Sequence, residues 1–235
     1  MSTSNNTKRD AVTVRPGTIA VFSDLWCSFA HIAVHRLHTT RRRLGLDHEV
    51  RFDHHAFPLE LFNRAPSPRP GTDSEVGGIA HLEPAAGWRL WVEPDWSFPT
   101  STLPALEAVQ AAKTQSLESS EALDLALRRA FWAENRCISN THVILDVAAK
   151  AAIVDVDHLA AALEDGRARS LVIDDFHLAQ AAGVECSPHI YLPDGTNHPN
   201  PGIDVTWIGA YGQGFPKVSS DDPAIYETIL RQVAG

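Results

Sequence analysis

A strand, a helix and a second strand follow one another early in the chain, and this order limits what the chain can fold into. Residues 18–22 (TIAVF) form a short apolar, partly β-branched run that predicts a buried strand. Apolar residues then recur with helical spacing over residues 28–44, and Gly45 supplies a helix stop. Residues 49–57 (EVRFDHHAF) alternate and predict the second strand. Two strands joined by one helix imply a parallel pair with a right-handed crossover, so we expect an α/β fold.

The middle of the chain combines an irregular segment with a long helical block. Prolines and glycines are frequent between residues 58 and 100, so we expect an extended excursion there rather than regular structure. Helical patterns then dominate to about residue 182. The irregular segment carries Trp88, Trp91 and Trp96, which could line a ligand groove or fasten the loop to the body. We favour packing, because tryptophan buries a large apolar area.

Strand patterns return near the C-terminus. Residues 188–192 (PHIYL) and 203–208 (IDVTWI) are predicted as strands, with a turn at residues 193–195 (PDG) between them. A final helix is predicted over about residues 222–233, with Pro223 in its first turn. The chain therefore ends as helix, strand, strand and helix.

Composition excludes several classes of function. The chain has 20 Lys and Arg residues against 29 Asp and Glu residues, a net charge of -9 without a basic surface, which argues against nucleic-acid and anionic-membrane binding. The first sixteen residues are polar, and no apolar run approaches the roughly 20 residues that span a bilayer, so we expect a cytoplasmic protein. The three cysteines, Cys27, Cys137 and Cys186, include no CxxC pair and no zinc-like spacing, so we expect reduced thiols and no metal site.

Cys27 lies where the first strand turns into the first helix. Unpaired backbone amides and the helix dipole at that position favour an anion, which predicts a thiol more acidic than free cysteine. His31 follows one helical turn later on nearly the same face, where it could pair with the thiolate or carry protons, and His35 continues the row. The alternative for both histidines is packing or a helix-surface role. Spacing of four also suits a metal pair, but no third ligand is evident.

Three local motifs carry a resemblance to a known family. These are FSDLWC at residues 22–27, CISN at residues 137–140 before a helix, and GVECSP at residues 183–188 before a strand. With their order and the helical block between the two α/β halves, the chain resembles the DsbA-like branch of the thioredoxin superfamily, and within it the FrnE-type proteins. The redox motif at residues 27–30 departs from that of disulfide-exchanging relatives. CSFA stands where those relatives have CxxC, and Ala30 replaces the resolving cysteine. Cys137 is expected to be structural.

The resemblance implies a thioredoxin-like fold with a helical insertion. We expect a flexible tail at residues 1–16, a thioredoxin-like domain made of residues 17–60 and 168–235, and a mostly helical insertion at residues 61–167. Both halves of the thioredoxin-like domain would then build one sheet.

The resemblance also implies roles at the predicted site. In the family a cis-proline loop faces the redox motif, which here assigns Pro188 to that loop and the Ser187 backbone to docking a partner chain or thiol ligand. Trp26, beside the catalytic Cys27, is assigned to substrate binding as well. Cys186 stands where relatives commonly have glycine, so it either replaces the missing resolving thiol or is a buried small hydrophobe.

Three functions follow as hypotheses. The first is a single-cysteine thiol-disulfide oxidoreductase that acts on a small thiol or a thiol-containing protein, with an external thiol or Cys186 completing the cycle. The second, by resemblance to 2-hydroxychromene-2-carboxylate isomerase and kappa-class glutathione transferase, is a glutathione-dependent isomerase or transferase, with the tryptophans of the irregular segment as an apolar wall. The third is a redox-inactive binding protein. No tightly bound cofactor is expected beyond glutathione or another low-molecular-weight thiol, and the oligomeric state stays open.

Overall fold

The structure, a computed structural model, describes residues 12–210 and 213–235. Residues 1–11 of the predicted flexible tail lie outside the described residues. The division of the chain at residues 17–60, 61–167 and 168–235 stays a prediction.

Two sheets and a series of helices make up the described chain. The strands are β1 (Thr18–Ser23), β2 (Arg51–Ala56), β3 (His189–Tyr191), β4 (Asn197–Pro199), β5 (Ile203–Ile208) and β6 (Phe215–Asp221). The helices are α1 (Ser28–Leu44), α2 (Leu59–Asn63), α3 (Arg69–Ile79), α4 (Leu103–Gln115), α5 (Leu117–Trp132), α6 (Thr141–Lys150), α7 (Val156–Asp165), α8 (Arg169–Ala182) and α9 (Ile225–Ala234).

The main sheet has the order β2-β1-β3-β4. The β1 and β2 strands are parallel, whereas β1 with β3 and β3 with β4 are antiparallel. The parallel pair with α1 between its strands confirms the predicted strand–helix–strand unit. One face of the main sheet packs against α1 and α9 through a cluster of buried residues that includes Ile19, Leu37, Phe52, Ile190 and Ile229.

The two strands predicted near the C-terminus are present, but they lie in different sheets. After the turn at residues 193–195, the chain enters β4 at once, so β4 and not β5 pairs with β3. The β5 strand pairs instead with β6 in a separate hairpin. Sequence patterning missed β6 because its side chains are mostly exposed and lack apolar alternation.

The irregular segment predicted at residues 58–100 contains α2, α3 and three short 3-10 turns. Sequence patterning missed α3 because one proline precedes it and another proline and three glycines lie within it. Pro70 lies in its first turn, where the missing amide proton costs nothing. Gly78 lets α3 approach the hairpin, because a Cβ there would lie 3.0 Å from Pro216 Cγ.

The tryptophans of this segment differ in their surroundings. Trp91 is buried in the core of the helical block, and Trp88 packs against the same core from a partly buried position. Both confirm the packing interpretation. Trp96 is 86% exposed, so packing is wrong for it.

The helical block holds the end of β1 through one buried arginine. The Arg128 guanidinium of α5 donates to the Asp24 carbonyl oxygen at 2.9 Å and to Ser23 Oγ at 2.8 Å. Its Nε also donates to Asp124 Oδ2 at 2.7 Å, which balances the charge. Trp132, one turn further along α5, donates from its ring nitrogen to the Leu25 carbonyl oxygen at 3.0 Å. The turn between β1 and α1 is therefore fixed by the helical block and not by its own sequence alone.

Arg128→Met should destabilise the protein by about 3 kcal/mol, because it leaves Asp124 as an unpaired buried charge. It also removes the hydrogen-bond donor of Ser23 Oγ and of the Asp24 carbonyl oxygen. Urea unfolding followed by circular dichroism measures the change. The matched control is Arg129→Met on the same helix, where the side chain is 73% exposed and the loss should stay within about 0.5 kcal/mol. Equal losses for the two variants would contradict the role assigned to Arg128.

Candidate active site

Cys27 caps the first turn of α1. Its backbone is extended, with φ -79° and ψ 115°, and its Sγ accepts a hydrogen bond from the Ala30 amide at 3.4 Å. The thiol also donates to the Ser187 carbonyl oxygen at 2.8 Å. The side chain is only 8% exposed. The thiol therefore lies at the predicted helix start, but between the helix and another loop and not on an open surface.

The loop before β3 faces Cys27. The Ser187–Pro188 peptide bond is cis, and the Ser187 hydroxyl accepts a hydrogen bond from the Asp24 amide at 2.9 Å. In the same loop, Cys186 Sγ donates to the Pro188 carbonyl oxygen at 3.3 Å. The structure thus brings Cys27 of the first half of the chain together with the predicted loop residues of the second half. Their functional roles stay predictions.

A cavity of about 450 Å³ opens beside Cys27. Its walls are largely aromatic, and its polar lining includes both cysteines of the site. The rings are those of Trp26, Phe29, Phe57, Phe62 and Trp207. The cysteine, serine and carboxylate side chains are those of Cys27, Cys186, Ser187, Ser67, Glu75 and Glu185. The apolar wall predicted from Trp88, Trp91 and Trp96 is wrong, because the two tryptophans that do line the cavity come from the β1–α1 turn and the hairpin.

The prediction of an acidic Cys27 is also wrong. Burial, the larger cause, and the nearby Glu75 carboxylate together raise the pKa of the Cys27 thiol to about 12. Hydrogen bonds and the more distant Arg128 act in the opposite direction and are smaller. The helix start favours the thiolate, but removal of solvent and a second negative charge outweigh it.

Glu75 is a site residue that the sequence did not reveal. It lies on α3, the helix that sequence patterning did not predict, and reaches the first residue of α1, Ser28. Burial raises the pKa of its carboxyl to about 7, although the hydrogen bonds to Ser28 lower it. A helical spacing at Thr72, Val76 and Ile79 could have indicated α3, but nothing in the sequence indicates that its carboxylate meets the start of α1.

Asp24 is a second carboxylate that the sequence did not single out. It is fully buried under the turn, and its Oδ1 accepts from the Trp26 amide at 2.9 Å while Oδ2 accepts from the Leu59 amide at 2.7 Å. Burial raises its pKa to about 6, and these hydrogen bonds oppose the shift. Asp24 therefore shapes the backbone around Cys27 from the protein interior.

The structure places His31 away from the thiol. Its Nε2 lies 3.2 Å from the Gly87 carbonyl oxygen, and its ring packs against Trp88 and Trp132 at centroid distances of 4.7 Å and 5.8 Å. Burial lowers its pKa to about 3, so the ring is neutral near pH 7. Neither ring nitrogen is hydrogen-bonded to Cys27, which contradicts the predicted pairing with the thiolate. The α5 helix covers this face of α1, so His31 turns into the core.

His35, which continues the row, also has another partner. Its Nδ1 lies 3.5 Å from a Glu83 carboxylate oxygen. Across the described part of the chain, no three His, Cys, Asp or Glu side chains are grouped so that they could hold a metal ion. Within residues 12–210 and 213–235, every helix is too short or too polar to traverse a bilayer.

A DSBA-like thioredoxin domain matches residues 18–212 of this chain. The chain belongs to this family. Its thioredoxin-like fold with a helical insertion confirms the predicted fold class. No protein with a curated description matches the sequence.

Solved structures show the same fold at low sequence identity. A probable DsbA oxidoreductase from Streptomyces coelicolor is 18% identical, with a TM-score of 0.62 over 92% of this chain and 89% of that chain. The cytosolic disulfide reductase DsbM from Pseudomonas aeruginosa with glutathione (GSH) is 14% identical, with a TM-score of 0.54 over 92% and 95%. A 2-hydroxychromene-2-carboxylate isomerase is 14% identical, with a TM-score of 0.52 over 77% and 87%. These likenesses show the fold alone.

Replacing Glu75 by Gln should lower the pKa of Cys27, because it removes the carboxylate charge next to the thiol. The measurement is the pH dependence of iodoacetamide alkylation in a Cys137→Ala, Cys186→Ala background, in which Cys27 is the remaining thiol. We expect alkylation of the parent still to be rising at pH 9.0, the usual pKa of a thiol, and the Glu75→Gln curve to lie at lower pH. Glu93→Gln, an exposed residue outside the cavity, is the control. A parent midpoint below that of free cysteine would contradict the burial argument.

Proposed function

We propose that the protein is a thiol-disulfide oxidoreductase with Cys27 as its single nucleophile. The observation that supports this most directly is the position of the Cys27 thiol, which contacts both the start of α1 and the Ser187 carbonyl oxygen and also lines the cavity. A ligand in the cavity therefore has access to the sulfur atom. The reducing cytoplasm is the compartment in which such a thiol stays reduced.

The proposed cycle has two exchange steps. The Cys27 thiolate attacks one sulfur of a disulfide, a sulfur–sulfur bond forms at Cys27, and the other half of the substrate leaves as a thiolate. An external thiol, as its thiolate, then attacks the ligand sulfur of this mixed disulfide, so a new disulfide leaves and Cys27 is regenerated. Because Ala30 stands at the position of the usual resolving cysteine, α1 offers no second thiol. Candidate external thiols are glutathione and other low-molecular-weight thiols.

Ionisation of Cys27 limits the first step. With a pKa raised to about 12, the thiol is almost entirely protonated at neutral pH. Because burial raises the pKa of Glu75 to about 7, this carboxyl is partly protonated near neutrality, and its protonated form no longer repels the thiolate. We expect the protein to exchange disulfides slowly in comparison with an enzyme that has an acidic thiol.

Two other functions each have one observation in their favour. The aromatic cavity next to the helix start suits a glutathione-dependent isomerase or transferase that places an apolar substrate beside a thiol. The raised pKa of Cys27 suits a redox-inactive protein that binds a small molecule or a peptide. Catalytic turnover of a disulfide distinguishes the first proposal from both.

Cys27→Ser should reduce disulfide turnover to the uncatalysed rate, since the serine hydroxyl cannot form a mixed disulfide. The assay measures reduction of hydroxyethyl disulfide by an excess of reduced small thiol, with glutathione and cysteamine tested separately. Cys137→Ser, which changes a thiol in the helical block, is the matched control and should retain full activity. Unchanged turnover in Cys27→Ser would remove the proposed function.

Cys186→Ser should also retain most of the activity, because we propose that an external thiol is the resolver. Both cysteines line the cavity, so the alternative is a disulfide between Cys27 and Cys186. Peptide mass mapping after mild oxidation checks this directly. A Cys27–Cys186 peptide together with loss of turnover in Cys186→Ser would assign the resolving role to Cys186 instead.

A further inference from the structure

We propose that the cavity beside Cys27 selects thiols and disulfides that have an apolar or aromatic body and no negative charge, with a cationic end preferred. This inference deepens the proposed function and relies on it for the exchange at Cys27. It names the class of small thiol that the site accepts.

The walls of the cavity determine the body of the ligand. Phe57 and Phe62 stack at a centroid distance of 4.1 Å, and Trp26 stacks on Phe98 behind the cavity wall. On the opposite side, Trp207 lines the cavity from the hairpin while 43% of its surface remains exposed. Apolar surface that faces an aromatic wall gains free energy when water leaves, so an apolar or aromatic ligand body fits here.

The charged side chains of the cavity determine which end groups the ligand can have. Glu75 and Glu185 both line it, and among the described lining residues none is lysine or arginine. The Arg128 guanidinium lies behind the turn at Asp24 and is bound to Asp124 through both its Nε and Nη2 atoms. A cationic ligand group therefore meets the Glu185 carboxylate and, above the Glu75 pKa of about 7, the Glu75 carboxylate as well, whereas both carboxylates repel an anionic group.

The start of α1 does not reverse this preference. Helix starts usually attract anions, but two backbone donors at this one already have acceptors. The Ala30 amide donates to the Cys27 sulfur and the Trp26 amide donates to Asp24, while the Glu75 carboxyl lies next to Ser28, the first residue of the helix. An incoming carboxylate would therefore meet the Glu75 side chain at the helix start.

The consequence concerns the external thiol. Glutathione has a net negative charge and polar peptide groups, so it matches neither the walls nor the charges of this cavity. A neutral alkyl or aryl thiol matches the walls, and an aminothiol matches the carboxylates as well. We expect neutral alkyl or aryl thiols, and aminothiols above all, to support turnover better than glutathione.

The test uses methanethiosulfonate reagents of similar size and opposite charge on the Cys137→Ala, Cys186→Ala protein. The Cys27 thiolate attacks the sulfenyl sulfur, a disulfide forms, and methanesulfinate leaves. We measure the rate for the trimethylammonium-ethyl reagent divided by that for the sulfonatoethyl reagent, and divide this ratio by the same ratio for free cysteine. A change in the pKa of Cys27 affects both rates equally, so the ratio reports charge selection alone.

The normalised ratio should exceed one by about threefold to tenfold, the size expected for one or two partly screened carboxylates. Glu75→Gln and Glu185→Gln should each reduce it, and Glu93→Gln should leave it unchanged. A ratio of one or less, or a ratio that neither cavity variant changes, overturns the inference, as does a Cys27 that reacts with neither reagent. The proposed function fails on different grounds, namely turnover that survives Cys27→Ser.

Discussion

The position of the site cysteine depends on the buried guanidinium of Arg128. This side chain is fully enclosed, and it joins α5 to the end of β1 through Ser23 Oγ and the Asp24 carbonyl oxygen. Asp124 supplies the opposite charge, so the guanidinium is paired as well as hydrogen-bonded. The Asp24 carboxylate accepts from the Trp26 amide and from the first residue of α2, and the Asp24 amide donates to Ser187. One arginine of the helical block therefore helps to align these three segments around Cys27.

Two opposing effects meet at the start of α1, and their sizes decide the outcome. A helix dipole favours a charge at its end by about 0.3–1 kcal/mol, which is less than one pKa unit. Burial and the Glu75 carboxylate together raise the Cys27 pKa from 9.0 to about 12, an effect on the order of 4 kcal/mol. Burial therefore dominates. The same neighbours that enclose the thiol in a ligand cavity also keep it protonated in the resting protein.

The sequence predicted the parts of this structure that depend on local patterns. The parallel β1–α1–β2 unit, the helical block and the position of Cys27 at a helix start follow from apolar spacing and capping residues. Contacts distant in sequence were not predictable in this way. His31 turns toward Gly87 because α5 covers its face of α1, and Glu75 reaches the site only because α3 packs beside the hairpin. The acidity of Cys27 was predicted wrongly for the same reason, since burial is a property of the assembled fold.

The shape of the site constrains the ligand as much as the chemistry does. The walls next to Cys27 come from α2, the loop before β3 and the β5–β6 hairpin, which together line a cavity of about 450 Å³. The Ser187 carbonyl oxygen accepts the hydrogen bond of the Cys27 thiol and, because a carbonyl oxygen has two lone pairs, can accept from a second donor. In the proposed exchange, a disulfide must reach the Cys27 sulfur between these walls, and the volume of the cavity suits a small one. The size of the cavity therefore supports the proposal of small-molecule exchange.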